Sequence, residues 1–144
     1  MRTAAVLTLL VASTSAYAGA GGTMILTAEQ VDTSSSGFEK AAKKAAITEL
    51  KGSNDSWQLF FIAFLKKAAG APQLNIVFYD KAEKAHEPVN AFPITTQSNA
   101  KVLASSVQFG TDQGFKAGHK YDVLITRLVG GHEDVYARSV LTLK

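Results

Sequence analysis

The sequence predicts a mainly β fold, an antiparallel β-sandwich of about seven strands with one short N-terminal helix. Three observations predict this fold class. First, short segments rich in β-branched and aromatic residues recur along the chain. Second, these segments are separated by glycine, proline or polar turn residues. Third, one stretch has helical periodicity. Without the leader described next, about 125 residues remain, which is the size of one domain.

Residues 1–18 have the layout of a secretory signal peptide. Arg2 precedes an apolar run that is too short to anchor the chain in a bilayer, and residues 16–18 form an A-x-A cleavage site. We expect cleavage before Gly19, although a repeat of the pattern two residues later leaves a second cleavage point open. Residues 19–144 then form a single β-sandwich domain, which we expect to be periplasmic or secreted.

Composition limits the compartment and the class of partner. The chain has no cysteine, so it forms no disulfide and no thiolate metal site. Export without cysteine is more typical of bacterial envelope or secreted proteins than of small eukaryotic extracellular domains, which disulfides commonly stabilise. The net charge is +3, but after the leader the only arginines are Arg127 and Arg138, so we expect no nucleic acid partner. No later apolar run is long enough for a membrane-spanning helix, so we expect no membrane span.

One helix is predicted near the N-terminus, starting at about Gly37. Ser36 and Glu39 have capping-box spacing, in which the serine hydroxyl accepts a hydrogen bond from a first-turn N–H. Phe38 and the alanines that follow it share one small apolar face, opposite a lysine face. The helical pattern breaks after these alanines, so residues 46–51 are either a continuation of the helix or an extended segment.

The strongest predicted strand covers residues 57–65. Trp57, Leu59 and Phe61 alternate with a second apolar set, so both faces of the strand need cover. We expect one face to line the core and the alanine face of the helix to shield the other. The remaining strands are predicted over residues 23–28, 74–79, 92–96, 101–109, 121–129 and 135–143, the last two joined in a hairpin through Gly130 and Gly131.

A local motif refines this fold class. A tyrosine, Tyr121, stands at the start of a predicted strand. An apolar residue, Phe115, lies six residues before it, and Gly118 lies three residues before it. This resembles the tyrosine corner of fibronectin type III and related immunoglobulin-like sandwiches over about residues 115–143, with Ala117 where that family usually has proline. The resemblance implies an immunoglobulin-like antiparallel sandwich, in which the tyrosine hydroxyl bonds to the backbone a few residues upstream. It supports the architecture and implies almost nothing about activity.

The titratable residues do not form a catalytic motif. His86, His119 and His132 lie in no nucleophile or metal-binding pattern, and we interpret His119 as a solvent-facing turn residue. His132 is followed by Glu133 and Asp134, but adjacent residues rarely converge on one ion, so we expect a polar hairpin tip. We therefore predict no catalytic residue, no cofactor and no metal.

The aromatic residues leave a binding alternative open. Trp57 stands at the head of a two-faced apolar strand, which indicates a core residue, although a single tryptophan can also be a sugar-stacking platform. Tyr79 and Tyr136 are the better candidates for exposed contacts.

The expected function is binding. We predict an exported, noncatalytic binding or structural module of the bacterial cell envelope, which acts through an edge strand or loops on a protein partner. Because proline cannot donate to a β-ladder, its presence indicates a sheet edge. The predicted partner-binding edge comprises Phe92, Pro93, Ile94, Thr95 and Thr96. Two alternatives remain: a small periplasmic hydrolase or metal-dependent enzyme that uses the loop histidines, and a carbohydrate-binding module.

Overall fold

The structure is a computed structural model that describes residues 9–10, 22–85 and 87–144. Apart from residues 9–10, the predicted leader and its cleavage site lie outside the described residues, as does His86. The described residues form nine strands and one α-helix: β1 (Leu9–Leu10), β2 (Thr23–Thr27), α1 (Phe38–Ala45), β3 (Glu49–Leu50), β4 (Ser56–Phe64), β5 (Gln73–Asp80), β6 (Pro88–Thr95), β7 (Val102–Gly110), β8 (Lys120–Val129) and β9 (His132–Leu143).

The strands form one mixed sheet that is nearly barrel-shaped, in the order β1-β7-β4-β2-β9-β8-β5-β6, with β3 also pairing with β9. The prediction of a mainly β fold with one helix is confirmed. The prediction of a wholly antiparallel sheet was wrong, because β2 and β3 both pair parallel with β9. Parallel pairing needs a long connection between the strands, and most of the chain lies between each of these strands and β9.

The main core lies inside the curved sheet. Alternate residues of β4, including Trp57, Leu59 and Phe61, pack there with inward-facing residues of β5, β7, β8 and β9. An aromatic cluster fills one end, where the ring centroids of Phe109 and Phe115 lie 4.3 Å apart. Period-two alternation therefore assigns one face of β4 to this core.

The helix covers the other face of β4, as predicted. Phe38 and Ala42 are buried against Ile62 and Phe64 of β4 and Val102 of β7. A flat alanine face can approach a sheet closely, so one short helix is enough to cover these side chains. No helix in the described ranges is long and apolar enough to cross a membrane.

The ends of the helix differ partly from the prediction. Gly37 occupies the N-cap position without any side-chain hydrogen bond, so the capping box at Ser36 was wrong. The N–H of Phe38 instead donates to the Ser35 carbonyl oxygen at 3.3 Å, which supplies a backbone partner for the first turn. Beyond Ala46 the chain is extended, as the alternative for residues 46–51 required, and it continues into β3.

Candidate functional site

The predicted partner-binding edge lies at one end of the sheet. In the described part of the chain, β6 pairs only with β5. Phe92 and Ile94 are buried, whereas Pro93 and Thr95 are exposed. Thr96 follows the strand, and its Oγ1 is buried with no hydrogen-bond partner among the described residues. The side chains open to a partner on this segment are therefore Pro93 and Thr95.

The backbone of β6 is a poor template for another strand. Pro88 and Pro93 both lie within it, and neither has an N–H to donate. Proline on an edge strand is one of the devices by which proteins discourage edge-to-edge pairing. Recognition at β6 would therefore rely on side chains more than on a continuous ladder of hydrogen bonds.

A second open side, which sequence patterns did not indicate, lies near the other end of the sheet, where the two-residue β1 is the terminal strand and β7 is its neighbour. β7 pairs along its whole length with β4. On its far side, the described partner is β1, which pairs antiparallel at Leu9 with Ala104 and at Leu10 with Leu103. The sequence of β7 contains no proline. No local pattern in β7 indicates this open side, because its residues are mostly buried like those of an interior strand.

A cavity of about 230 Å³ adjoins β7. The loop after β2 contributes Gln30 and Val31, β4 contributes Phe60 and Ile62, and β7 contributes Ala104 and the two serines that follow it. Ser105 is paired with Phe61 of β4, so its buried hydroxyl, which has no hydrogen-bond partner in the described ranges, faces the main core and not the cavity. The cavity thus combines apolar walls with polar residues of the loop after β2 and of β7.

The segment of the predicted tyrosine corner lies between the end of β7 and the start of β8. Phe115 and Tyr121 are fully buried, and Gly118 has a φ of +87°, a conformation that favours glycine. The Lys116 N–H donates to the Tyr121 hydroxyl oxygen at 2.9 Å, which is the contact that the corner motif requires. Burial raises the pKa of Tyr121, and the hydrogen bond from Lys116 partly offsets that effect.

His119 does not behave as the predicted solvent-facing turn residue. Its Nδ1 lies 2.7 Å from Oδ2 of Asp80, whose side chain is 4% exposed, while the His119 side chain is 32% exposed. Burial alone would raise the pKa of Asp80, but hydrogen bonds from the Ala82 N–H and the His119 ring lower it below its usual range. The two residues are far apart in sequence, so no spacing rule could pair them. A carboxylate-bound imidazole is the base half of a hydrolytic triad.

The possible metal ligands at the hairpin tip between β8 and β9 have separate partners and do not converge on one point. Glu133 accepts a hydrogen bond from the Tyr79 hydroxyl at 2.8 Å, and Asp134 pairs with Lys67 at 2.7 Å. His132 is exposed at the turn. No group of three potential metal-ligating side chains occurs within residues 22–85 and 87–144. Burial and the Glu133 hydrogen bond raise the pKa of Tyr79 to about 12.

The aromatic candidates for contact are mostly inside. Trp57 is 3% exposed, as predicted for a core residue, and its Nε1 donates to the Lys144 carbonyl oxygen at 3.2 Å. The prediction that Tyr79 and Tyr136 are exposed was wrong, because both are buried and each hydroxyl donates to an acceptor. Each ring packs in the interior while its hydroxyl donates a hydrogen bond to a nearby acceptor. The alternation of apolar and polar residues along a strand does not predict this combination.

Comparison with protein-family models, curated proteins and solved structures finds no significant match to this chain.

Proposed function

We propose that this chain is an exported, noncatalytic binding or structural module of the bacterial cell envelope, which acts on a protein partner through an edge of its sheet. The observation that carries the proposal is the unclosed sheet. In the described residues, β6 pairs on one side only, and β7 has no partner strand beyond β1 along its outer side. Unpaired edge backbone is a template for strand addition, and proteins that keep such an edge commonly use it in recognition.

Export is the first part of this proposal. Its support is the sequence of residues 1–18, with a basic start, a short apolar run and an A-x-A site. The cysteine-free composition also fits a bacterial envelope or secreted protein. Intact mass of the protein recovered after export tests it, since we expect Gly19 as the first residue and retention of Met1 would refute the cleavage.

An immunoglobulin-like sandwich is the second part. The strand order supports two layers, with β7, β4 and β2 in one and β9, β8, β5 and β6 in the other. Inward residues from both sets share one core, as Phe61 of β4 and Val123 of β8 do. The position of Tyr121 at the start of the penultimate strand also supports this arrangement, since the corner tyrosine of such sandwiches occupies that place.

The test of partner binding introduces a lysine at one of three positions, two on strands and one in a loop. Thr95→Lys places a charge on β6, Ala104→Lys places it on β7, and Ser36→Lys places it in the exposed loop before α1. Inward or edge charges oppose strand addition. We expect at least one edge variant to lose the envelope partner that the unmodified protein recovers, while Ser36→Lys keeps it. Retention of the partner by both edge variants, each folded by circular dichroism, would refute edge binding.

A second candidate function is hydrolysis, and the pairing of His119 with Asp80 favours it. The side chain of His119 is 32% exposed, and a general base must be within reach of its substrate. Replacing His86, His119 and His132 together by Gln distinguishes the two functions. Partner recovery without change supports the binding module, whereas loss of the partner or of a hydrolytic activity would replace it with a histidine-centred site.

A further inference from the structure

The outer edge of β7 already accepts an extended segment in this structure. Leu9 pairs with Ala104 and Leu10 with Leu103, both antiparallel. These two residues belong to the apolar run of the predicted leader. If the leader is removed, the segment that holds this position leaves with it.

Two properties of β7 suit it to accept a strand. Its backbone has no proline, so every residue retains its N–H. Its middle residues, Ala104, Ser105 and Ser106, are small and allow a neighbouring backbone to approach closely. The β6 edge, which contains two prolines, lacks the first of these properties.

The cavity beside β7 indicates the chemistry of the occupant. Its walls include Val31, Phe60, Ile62 and Ala104, which are apolar. Asp32 lies at the same cavity, but its carboxylate already accepts hydrogen bonds from the backbone and hydroxyl of Ser34. An apolar side chain therefore fits this cavity better than a charged one.

We propose that the outer edge of β7 is a strand-acceptor site. An extended apolar segment of the protein partner adds antiparallel to β7 and places side chains in the adjoining cavity, with main-chain hydrogen bonds supplying most of the contact. In the unprocessed chain, β1 holds this position. The inference rests on the proposed function, and it names which edge the partner uses and the kind of segment that binds.

The register is tested in the full chain, which has no cysteine of its own. Leu9→Cys combined with Ala104→Cys should form a disulfide on mild oxidation, because opposed residues of an antiparallel pair lie within disulfide range. Two controls carry the second cysteine at Thr95, on the other edge, or move the first to Leu10, one residue out of register. We expect cross-linking at least about tenfold faster in the matched pair than in either control. Equal rates in all three would overturn the proposal.

Binding in trans is tested with the unmodified processed protein, so that no variant has to fold. The probe is a synthetic peptide with the sequence of residues 4–12 and a short lysine tail. We expect it to slow amide exchange in β7 by at least about tenfold and to leave β6 unchanged. Protection confined to β6, or none at all, would overturn the proposal. Self-association through β7 that the peptide does not reverse would identify a second copy as the occupant and would also overturn it.

Partner recovery separates this inference from the proposed function. Loss of the partner in Ala104→Lys but not in Thr95→Lys supports the β7 site. The reverse result would refute the β7 site and leave edge binding intact. Retention in both variants would refute the proposed function itself.

Discussion

Removing one hydroxyl from the tyrosine corner should measurably destabilise the fold. Tyr121→Phe keeps the fully buried ring and its packing against Phe115, whose centroid lies 5.6 Å away. It deletes the oxygen that accepts the Lys116 N–H at 2.9 Å. Leaving a buried donor unpaired costs about 1 to 3 kcal/mol. Because the Lys116–Tyr121 bond is only partly buried, we expect a loss in the lower part of this range, about 1 to 2 kcal/mol.

Urea unfolding of the two proteins, followed by circular dichroism, measures this difference. An unchanged slope with urea concentration would show that the transition midpoint reports stability alone. Lys116→Ala is the matched control, because it keeps the N–H that donates to Tyr121, and it should change stability by no more than about 0.5 kcal/mol. A loss below about 0.3 kcal/mol in Tyr121→Phe would show that the hydrogen bond from Lys116 contributes nothing measurable to stability.

Three further predictions follow from the contacts of other residues. Folding lowers the pKa of Asp80 below its ordinary value of 3.8. The charged carboxylate therefore stabilises the fold above about pH 4, and this stabilisation is lost as the pH falls through the lowered pKa of the folded protein. Asp80→Asn should therefore cost about 1 kcal/mol at pH 7 and less below pH 3.8, whereas a pH-independent difference in urea melts would contradict this. Phe38→Ala should cost about 3 kcal/mol by the same assay because it uncovers the outer face of β4, and a loss under about 1 kcal/mol would contradict that role of the helix. In Gly52→Ala the new Cβ would lie 2.6 Å from Nε1 of Trp57, so the fluorescence of this single tryptophan should shift, while Gly37→Ala, which meets no atom within 4 Å, should leave it unchanged.

Local patterns were sufficient to predict the main strands. Alternation placed the strand containing Trp57 and Phe61 in the core, and the structure has β4 over Ser56–Phe64. The same alternation showed that its second face needed cover, which Phe38 of the helix provides. These predictions succeed because period-two and helical spacing depend only on neighbouring residues.

Contacts between distant segments account for what the sequence did not predict. The pairing of His119 with Asp80 joins the corner turn to the end of β5, and the bond from Tyr136 to the Ala69 carbonyl oxygen joins β9 to the turn after β4. The parallel pairing of β3 with β9 and the short pairing of β1 along the outer side of β7 likewise depend on topology. None of these arrangements leaves a signal in local spacing, so the candidate edge at β7 could be recognised only from the assembled sheet.

Binding of a protein partner at an edge of the sheet can be tested in intact cells by site-specific photo-cross-linking. A photoreactive amino acid is placed in turn at Ala104 on β7, at Thr95 on β6 and at the exposed Lys40 of the helix. We predict a covalent adduct with one envelope protein from Ala104 and none from Lys40, with Thr95 at most weakly reactive. Adducts of equal yield at all three positions, or an adduct from Lys40 alone, would contradict the account.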